Sequence, residues 1–292
     1  MPSIIDLIGN TPLIPIKNLN KNKEVQLLSK LEGQNPGGSV KDRAALGMIQ
    51  AVMESGQLKP GMRLVEATSG NTGIALSMIA AYYKIPITLI MPESATAERV
   101  GTMKAYGADV ILTPAEHTIE YSRKYAAELV EKGGYHLLNQ FANPNNYGMH
   151  YKTTGPEIWD ATNGKITHFV SSMGTTGTIM GVSRYLKEKN PEIQIIGVQP
   201  QDGSRIPGIR RWSPEFLPKI YEPHRVDRII DVSRNQAIEK MKALGTVEGL
   251  FCGLSSGGAM HAALQIANEL TEGLIVSIVC DRGDRYLSTG LW

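Results

Sequence analysis

The sequence predicts an α/β fold built on mainly parallel sheets, and three observations support this prediction. Short runs rich in β-branched residues alternate with longer stretches of helical periodicity along almost the whole chain. Glycine and proline turns, such as Lys59-Pro60-Gly61 and Gly133-Gly134, separate these runs. Strands that alternate with helices form parallel sheets covered by helices, and such sheets bind ligands beyond the carboxyl ends of their strands.

The first half of the chain alternates predicted strands with predicted helices. The helix over 41–55 has Ala45, Met48, Ile49 and Val52 on one face. The strands are predicted at 25–31, 63–67, 87–91, 109–112 and 135–138, and the remaining helices at 72–83, 98–106 and 119–131.

A polar break, Asn143-Pro144-Asn145-Asn146, lies near the midpoint and is the best candidate for a crossing between two domains. Beyond it the alternation continues. Helices are predicted at 148–161, 178–189, 234–244 and 257–270, and strands at 167–171, 193–198, 228–232 and 275–280. The segment 201–222 reads as a long loop, which in a compact chain is usually functional or mobile.

Composition excludes several classes of protein. The 292 residues, 42% of them hydrophobic, can form one large core or two modest ones. A net charge of +2 gives no electrostatic basis for a nucleic-acid or anionic-membrane partner. No signal peptide or long apolar run is recognisable, Cys252 and Cys280 form no disulfide framework, and the six histidines lack metal-ligand spacing. We therefore expect a cytoplasmic protein without a metal site.

The first glycine-rich loop, Gly37-Gly38-Ser39-Val40-Lys41-Asp42-Arg43, precedes a predicted helix. Ser39 followed three residues later by Asp42 resembles a capping box, which places Lys41 in the first helical turn. A cation is disfavoured there by the helix dipole, and a lysine that attacks a carbonyl needs the free amine. For this loop taken alone, a solvated lysine at a helix start is the better explanation.

The second loop, Thr68-Ser69-Gly70-Asn71-Thr72-Gly73, follows the strand at 63–67 and opens an apolar helix. Its hydroxyl and backbone N–H groups form a small anion site suited to a carboxylate. The Asn71 amide can bond to a ring hydroxyl or a carbonyl. An ordinary helix N-cap explains these residues equally well.

The third loop, Gly174-Thr175-Thr176-Gly177-Thr178, lies between the strand at 167–171 and the helix at 178–189. Its two glycines let the backbone approach a ligand, and its three threonine hydroxyls can donate hydrogen bonds. The loop matches neither the Walker A pattern nor a dinucleotide-binding fingerprint. We predict that it binds a single phosphate.

The fourth loop, Leu254-Ser255-Ser256-Gly257-Gly258, also precedes a predicted helix, and an N-cap turn is its simpler interpretation when taken alone. Together the four loops provide an amine, a carboxylate site, a phosphate cup and a further hydroxyl. Pyridoxal phosphate acting on an amino acid requires this set of groups. The sequence therefore predicts a pyridoxal-phosphate enzyme that holds its cofactor on Lys41.

These motifs, in this order, resemble the cysteine synthase branch of the fold-type II pyridoxal-phosphate enzymes over essentially the whole chain. Ile8-Gly9-Asn10-Thr11-Pro12-Leu13 matches as well. The resemblance implies a tryptophan synthase β-like fold of two three-layer α/β domains with mainly parallel sheets. It also implies a smaller, mobile N-terminal domain over 1–12 and 35–145, and a larger domain over 13–34 and 146–292, with the cofactor between them.

The resemblance further implies roles for single residues. Lys41 would carry the cofactor as an internal aldimine and later remove the substrate α-proton. Asn71 would bond to the cofactor 3′-oxygen, and Ser255 would face the pyridine nitrogen, where a neutral hydroxyl suits expulsion of a β-leaving group. The cofactor phosphate would be bound by Gly174, Thr175, Thr176, Gly177 and Thr178. The substrate carboxylate would be held by Thr68, Ser69, Asn71, Thr72 and Gln140.

Within this branch, the segments 206–212 and 280–290 resemble the B type of O-acetylserine sulfhydrylase. The A type usually has a Pro-Ser pair near Cys280. The likeness implies a homodimer that converts O-acetyl-L-serine through an α-aminoacrylate into L-cysteine with sulfide, or into S-sulfocysteine with thiosulfate. Arg210 and Arg211 would attract the anionic donor. Cys280 would lie near the cofactor ring, where a buried, inert thiol is the favoured interpretation.

Three alternative functions compete with this prediction. Serine/threonine dehydratases usually have Phe before the lysine and Asn-His in the asparagine loop, where this chain has Val40 and Asn71-Thr72. A cystathionine β-synthase-like enzyme is less favoured, because no regulatory extension or haem-binding segment is recognisable. A non-catalytic binding protein that kept the fold is disfavoured by the retention of Lys41 together with its partner loops.

Overall fold

The computed structural model describes residues 1–68, 70–117 and 119–292, which contain two sheets. The strands are β1 (Leu13–Pro15), β2 (Val25–Leu31), β3 (Arg63–Ala67), β4 (Ile87–Pro92), β5 (Asp109–Thr113), β6 (Tyr135–Leu137), β7 (His168–Ser172), β8 (Gln194–Pro200), β9 (Arg228–Val232) and β10 (Gly273–Val279). The helices are α1 (Lys41–Ser55), α2 (Asn71–Tyr82), α3 (Ala97–Ala105), α4 (Ile119–Glu131), α5 (Pro144–Met149), α6 (Gly155–Ala161), α7 (Gly177–Lys189), α8 (Arg234–Glu248) and α9 (Leu254–Glu269).

The smaller sheet has four parallel strands in the order β5-β4-β3-β6. Successive residues point to opposite faces, so Leu64 and Leu89 pack with the apolar sides of α1 and α2, whereas Val65 and Ile90 pack with α4. Because both faces are covered, the central strand β4 is buried along its whole length. The result is a three-layer domain.

The larger sheet has six strands in the order β1-β2-β10-β7-β8-β9, and only the β1–β2 pair is antiparallel. Val170 and Ile275 face α8 and α9, whereas Phe169 and Val276 face α6 and α7. This domain therefore has three layers too. Two α/β domains with mostly parallel sheets confirm the predicted fold class.

Most predicted elements form within one or two residues of their expected bounds, and the exceptions have clear causes. The helix expected at 148–161 begins at Pro144, because the Asn143 side chain accepts a hydrogen bond from Asn145 N at 3.0 Å and caps it. A π-helical turn, His150–Thr154, interrupts it. The predicted polar break is therefore a helix cap, although the chain does pass from the smaller to the larger sheet between β6 and β7.

Three further elements differ from the prediction. Helix α8 ends at Glu248, four residues later than expected, with the left-handed Gly249 (φ 72°) as its C-cap. The three-residue strand β1 was not predicted, since so short a run has no measurable periodicity. Helix α9 begins at Leu254, three residues earlier than expected, with Gly253 as its N-cap. Its serine- and glycine-rich sequence hides the start, yet Gly257 is required there, because a Cβ would overlap Ala237 O of the packed helix α8.

A buried ionic network anchors α1 two residues after Lys41. The Arg43 guanidinium contacts Glu32 at 2.8 Å and Glu157 at 2.6 Å, and Lys30 contacts Glu157 at 2.6 Å. Burial acts to raise the pKa of Glu32, but the charge and hydrogen bonds of Arg43, together with the Thr11 hydroxyl, outweigh it and lower this pKa to about 2. The start of α1 is thereby tied to β2 and α6 of the larger sheet domain.

Candidate active site

The carboxyl ends of β3, β7 and β10 open into one cavity of about 720 Å³. Most of the predicted site residues line it, although they come from six separate parts of the sequence. They are Lys41, Thr68, Asn71, Thr72, Gln140, Gly174, Thr175, Thr178, Arg210, Arg211 and Ser255. Thr176 and Gly177 continue the same loop at the start of α7. Ser69 lies outside the described residues.

Lys41 is the first residue of α1, as predicted, and its side chain lines the cavity. The predicted capping box is wrong. Ser39 Oγ accepts a hydrogen bond from Lys41 N at 3.2 Å, while Asp42 turns inward and accepts from Gly37 N at 2.5 Å. Burial raises the pKa of Asp42 to about 7. The buried carboxyl therefore secures the glycine turn instead of capping the helix.

The Lys41 loop is also fixed from the other side by the end of β10. Val40 N donates to Cys280 O at 2.8 Å, and Ser39 forms an antiparallel bridge with Asp281. These main-chain contacts join two segments about 240 residues apart. The lysine consequently projects from a backbone held at both sides of its loop.

In the loop after β3, the hydroxyls of Thr68 and Thr72 are bonded to protein groups. Thr68 Oγ1 accepts from Gly70 N and Gly73 N, both at 3.2 Å. Thr72 Oγ1 donates to Gln140 Oε1 at 2.9 Å, and Gln140 Nε2 donates to Ala67 O at 2.9 Å. The N-cap residue of α2, Gly70, has no side chain, so it cannot cap the helix with a side-chain hydrogen bond.

Glu66, which is not among the predicted site residues, supports this arrangement by its contact with Gln140. Its carboxyl is 1% exposed, and its Oε1 accepts from Gln140 N at 3.4 Å. Burial raises the pKa of Glu66 to about 8. A glutamate inside the apolar run of β3 is the signal that could have drawn attention to it.

The loop after β7 has a different character. Thr176 has a left-handed backbone (φ 70°), which is uncommon for a β-branched residue, and its buried Oγ1 has no hydrogen-bond partner in the described part of the chain. A Cβ at Gly177 would overlap Asn146 Oδ1, and one at Gly174 would lie 2.7 Å from Gly208 O. Both positions therefore require glycine, and the first N–H groups of α7 point at the loop.

His150, from the π-helical turn, lies beneath this loop and was missed by the sequence analysis. Its Nε2 is 3.3 Å from Thr178 Oγ1, and its Nδ1 is 2.8 Å from Thr154 Oγ1. Burial lowers the pKa of His150 to about 3, so the ring is neutral. The partners are 28 and 4 residues away, and a lone histidine within a predicted helix gave no signal of this contact.

Ser255 is the second residue of α9, and its side chain lines the cavity beside Cys280. Ser172 Oγ donates to Ser255 O at 2.7 Å, which fixes the start of α9 against the end of β7. Burial raises the pKa of the Cys280 thiol to about 11. The thiol is therefore protonated near neutral pH, in agreement with an inert role.

The two adjacent arginines of the long loop differ in their surroundings. Arg211 contacts Asp231 at 2.5 Å and Asp202 at 3.2 Å, so its charge is largely compensated. Arg210 is exposed at the cavity, and its backbone N donates to Met173 O at 2.9 Å. Trp212 Nε1 donates to Gly174 O at 2.8 Å. The segment therefore packs on the loop after β7 and leaves Arg210 at the rim.

The similarity to known proteins extends over nearly the whole chain. A family model described as pyridoxal-phosphate dependent enzyme matches residues 4–281. Cysteine synthase B of Pseudomonas aeruginosa is 55% identical over 291 residues, which cover 100% of this chain and 97% of that protein. Cysteine synthase B of Escherichia coli is 51% identical over 292 residues, covering 100% of this chain and 96% of that protein.

A solved structure agrees with these sequence relatives. The crystal structure of a cysteine synthase from Entamoeba histolytica superposes with a TM-score of 0.94 at 37% identity. The superposition covers 100% of this chain and 90% of the other. Both the sheet topology and the loops at the strand ends therefore belong to a known architecture.

Proposed function

The chain belongs to the family of pyridoxal-phosphate dependent enzymes and, within it, to the cysteine synthases, and on that premise we propose that it makes L-cysteine from O-acetyl-L-serine and sulfide. The reaction is a β-replacement, in which the bond from Cβ to the acetate oxygen breaks and a bond from Cβ to sulfur forms. One observation carries the proposal above all. A single cavity brings together the Lys41 amine, a loop suited to a carboxylate and a loop suited to a phosphate.

The residues present fit pyridoxal phosphate. The buried Thr176 hydroxyl has no partner in the described residues, and the backbone at Gly174 and Gly177 is shaped so that only glycine fits. A phosphate there would satisfy the hydroxyl and the first N–H groups of α7. Lys41, Asn71 and Ser255 line the same cavity and would hold the aldehyde and ring ends. When bound, the cofactor supplies an electron sink for the carbanion formed at Cα.

The protein groups have separate tasks in this function. Lys41, as the free amine, takes the proton from the substrate Cα. Thr68, Ser69, Asn71, Thr72 and Gln140 bind the substrate carboxylate and orient Cβ. The neutral Ser255 hydroxyl leaves the ring nitrogen without a charged partner, which suits loss of acetate. The threonine-rich turn at 174–178 holds the phosphate and keeps the cofactor in place.

The proposal is tested with purified full-length protein and its Lys41→Ala variant. The wild type is expected to carry pyridoxal phosphate and to form cysteine from O-acetylserine and sulfide. Lys41→Ala should lower turnover at least about 10³-fold, because it removes both the attachment point and the base. Lys59→Ala, at an exposed lysine in the turn after α1, is the control and should leave turnover unchanged.

Several results would contradict the proposal. Near-normal turnover in Lys41→Ala would exclude its assigned role. Release of pyruvate from serine, with no cysteine from O-acetylserine, would identify a dehydratase instead. Thioether formation from serine and homocysteine would identify a cystathionine β-synthase-like enzyme. A protein that binds no cofactor would be a non-catalytic relative.

Thiosulfate is proposed as a second sulfur donor, yielding S-sulfocysteine. Support comes from the charge at the cavity, where Arg99, Arg205, Arg210, Arg211 and Arg234 all contribute to the lining. Glu120 is the one acidic side chain among the described lining residues. Such a field concentrates anions at the entrance. Arg210→Gln should raise the KM for thiosulfate more than that for sulfide, whereas equal effects on both donors would exclude donor recognition by Arg210.

The Arg211 assignment is proposed in a weaker form, as a contribution to the same field, since Asp231 and Asp202 already pair with it.

We further propose a cytoplasmic homodimer, and a smaller mobile domain over 1–12 and 35–145 that closes on the larger one over 13–34 and 146–292. The described part of the chain has no helix long and apolar enough to cross a bilayer. Sedimentation analysis, and small-angle scattering with and without a substrate analogue, test the assembly and the closure.

A further inference from the structure

A pair of charged residues near the C-terminus contacts Asn71. Asp281 follows β10, and Arg285 lies in the short 3₁₀ segment Gly283–Thr289. Asp281 is 1% exposed and Arg285 is 8% exposed. Asn71 Nδ2 donates to Asp281 Oδ2 at 2.6 Å, and Arg285 Nη1 donates to Asn71 Oδ1 at 2.6 Å. Both contacts cross from the smaller sheet domain to the larger one.

The chemistry of these two partners determines which way the Asn71 amide points. An ionised carboxylate can only accept hydrogen bonds, so the amide NH₂ must face Asp281. A guanidinium can only donate, so the amide oxygen must face Arg285. The opposite orientation would place the amide oxygen against a carboxylate and the NH₂ against a guanidinium. The two contacts therefore exclude a flipped amide.

With the amide held this way, one Nδ2–H is used by Asp281 and the other remains for a ligand in the cavity that Asn71 lines. We propose that Asp281 and Arg285 are positioning residues that present this N–H to the 3′-oxygen of the cofactor ring. The inference rests on the proposed function, in which Asn71 binds that oxygen. It gives the segment after β10 a role in cofactor binding.

The same two side chains are themselves held in place. Tyr286 OH donates to Asp281 Oδ2 at 2.6 Å, and Arg285 Nη2 donates to Gly37 O of the Lys41 loop. A Cβ at Gly38, whose φ is 80°, would collide with the Arg285 guanidinium. The lysine loop and the Asn71 amide are therefore positioned by one arginine.

The test is a double-mutant cycle between Asp281→Asn and Asn71→Ala, read as the dissociation constant of pyridoxal phosphate for the full-length chain. Asn71→Ala should weaken binding about tenfold, as expected for one hydrogen bond to a charged oxygen, and Asp281→Asn about fivefold. In the Asn71→Ala background, Asp281→Asn should have no further effect. The absorption bands of the bound cofactor report the state of the ring oxygen, and both single variants should shift them in the same direction.

Asp284→Asn is the matched control, since Asp284 lies in the same segment but its side chain is 46% exposed and pairs with Arg282. It should leave affinity and absorption unchanged. An equal loss for Asp281→Asn in both backgrounds would mean a general structural effect and would overturn the inference. Wild-type affinity in Asn71→Ala would overturn both the Asn71 role and this inference, while the Lys41→Ala assay would still test the overall function.

A charge swap keeps the inference testable if the single variants fold poorly. Asn71→Asp combined with Asp281→Asn restores a hydrogen bond between the two positions and keeps an acceptor facing Arg285. It leaves no N–H at position 71 for the cofactor. The swap should therefore recover the melting temperature of the cofactor-free protein but not its cofactor affinity. Recovery of both would overturn the proposal.

Discussion

The loops that follow β3 and β7 share a local architecture but differ in one buried hydroxyl group, which has no protein partner in the described part of the second loop. Each leaves the carboxyl end of a parallel strand, passes through a glycine- and threonine-rich turn, and starts a largely buried helix. In the first loop, the hydroxyls of Thr68 and Thr72 are bonded to protein groups. In the second, the buried Thr176 hydroxyl has no partner among the described residues.

A hydroxyl that is bonded to a protein group contributes to folding stability, whereas a buried hydroxyl without a partner lowers folding stability and can contribute to ligand affinity. A buried hydroxyl without a partner costs about 1–3 kcal/mol, which is recovered when a ligand supplies the hydrogen bond. The Thr176 hydroxyl should therefore gain its partner from the cofactor phosphate, whereas the Thr68 and Thr72 hydroxyls are already bonded before a ligand binds. A permanently bound cofactor can complete the hydrogen bonds of its binding loop, whereas a transient substrate needs a loop whose hydrogen bonds are already made.

The largest effect is expected from Gly177→Ala, which would break the second loop. The added Cβ would overlap Asn146, a buried side chain that donates to Gln140 O and Thr175 Oγ1. We expect a loss of about 3 kcal/mol in the free energy of unfolding and loss of tight cofactor binding. Gly101→Ala in α3, where nothing lies within 4 Å of the added atom, should be neutral or stabilising. Equal stabilities of the two variants would refute the packing argument.

Glu66→Gln tests the support beneath the first loop through its pH dependence. Burial raises the pKa of Glu66 to about 8 from a usual value of 4.5, so between these pH values the folded protein keeps a proton that the unfolded chain has released. Wild-type stability should therefore fall as the pH rises through this window. The variant cannot ionise, so its stability should rise relative to that of the wild type as the pH increases between the two limits.

Urea unfolding at several pH values measures this difference. Glu24→Gln, at an exposed position before β2, is the control and should track the wild type. Parallel pH profiles for the wild type and Glu66→Gln would show that Glu66 does not bind a proton in the folded state at neutral pH.

Thr68→Val would remove the acceptor of two backbone N–H groups in the first loop. We expect a loss of about 1–2 kcal/mol in stability, even without cofactor, and a higher KM for O-acetylserine. Cofactor affinity should change little. Thr88→Val is the matched control in the neighbouring strand, because the Thr88 hydroxyl is buried without a partner in the described residues. A cofactor defect in Thr68→Val larger than its KM effect would contradict the division between the loops.

Thr176→Val should give the smallest change and the opposite sign. Removing an unpartnered hydroxyl should leave the cofactor-free protein as stable as the wild type, or up to about 1 kcal/mol more stable. Cofactor affinity should fall several-fold, because the phosphate loses a donor. Thermal unfolding with and without pyridoxal phosphate separates the two effects. Destabilisation of the cofactor-free protein would show that Thr176 has a structural partner.

The sequence predicted elements best where local patterns coincide with tertiary packing. The bounds of α1 and α4 were predicted to the residue, because apolar periodicity and terminal glycines agree there. The start of α9 was missed because small polar residues occupy its first turn, and their helical state depends on packing against α8. The capping box failed because Asp42 is drawn into the interior by Gly37.

Site residues, like secondary-structure elements, were predicted where local patterns identify them and missed where tertiary contacts decide. Residues in glycine- and threonine-rich turns after strands were identified, since their chemistry can be read locally. Glu66, His150, Asp281 and Arg285 were not identified as site residues, because each acts on a partner distant in sequence, as with the 214 residues between Arg285 and Asn71.

By itself, the sequence determined the α/β class, the order of the elements, and the four loops with their amine, hydroxyl and amide groups. These follow from periodicity and residue chemistry, which are local properties of the chain. Only the tertiary structure decided that the loops share one cavity and that Asp281 and Arg285 hold Asn71. It also decided that, among the described residues, the Thr68 and Thr72 hydroxyls have protein partners while the Thr176 hydroxyl has none. Those outcomes depend on how two sheets bring distant segments together, and no local pattern encodes that geometry.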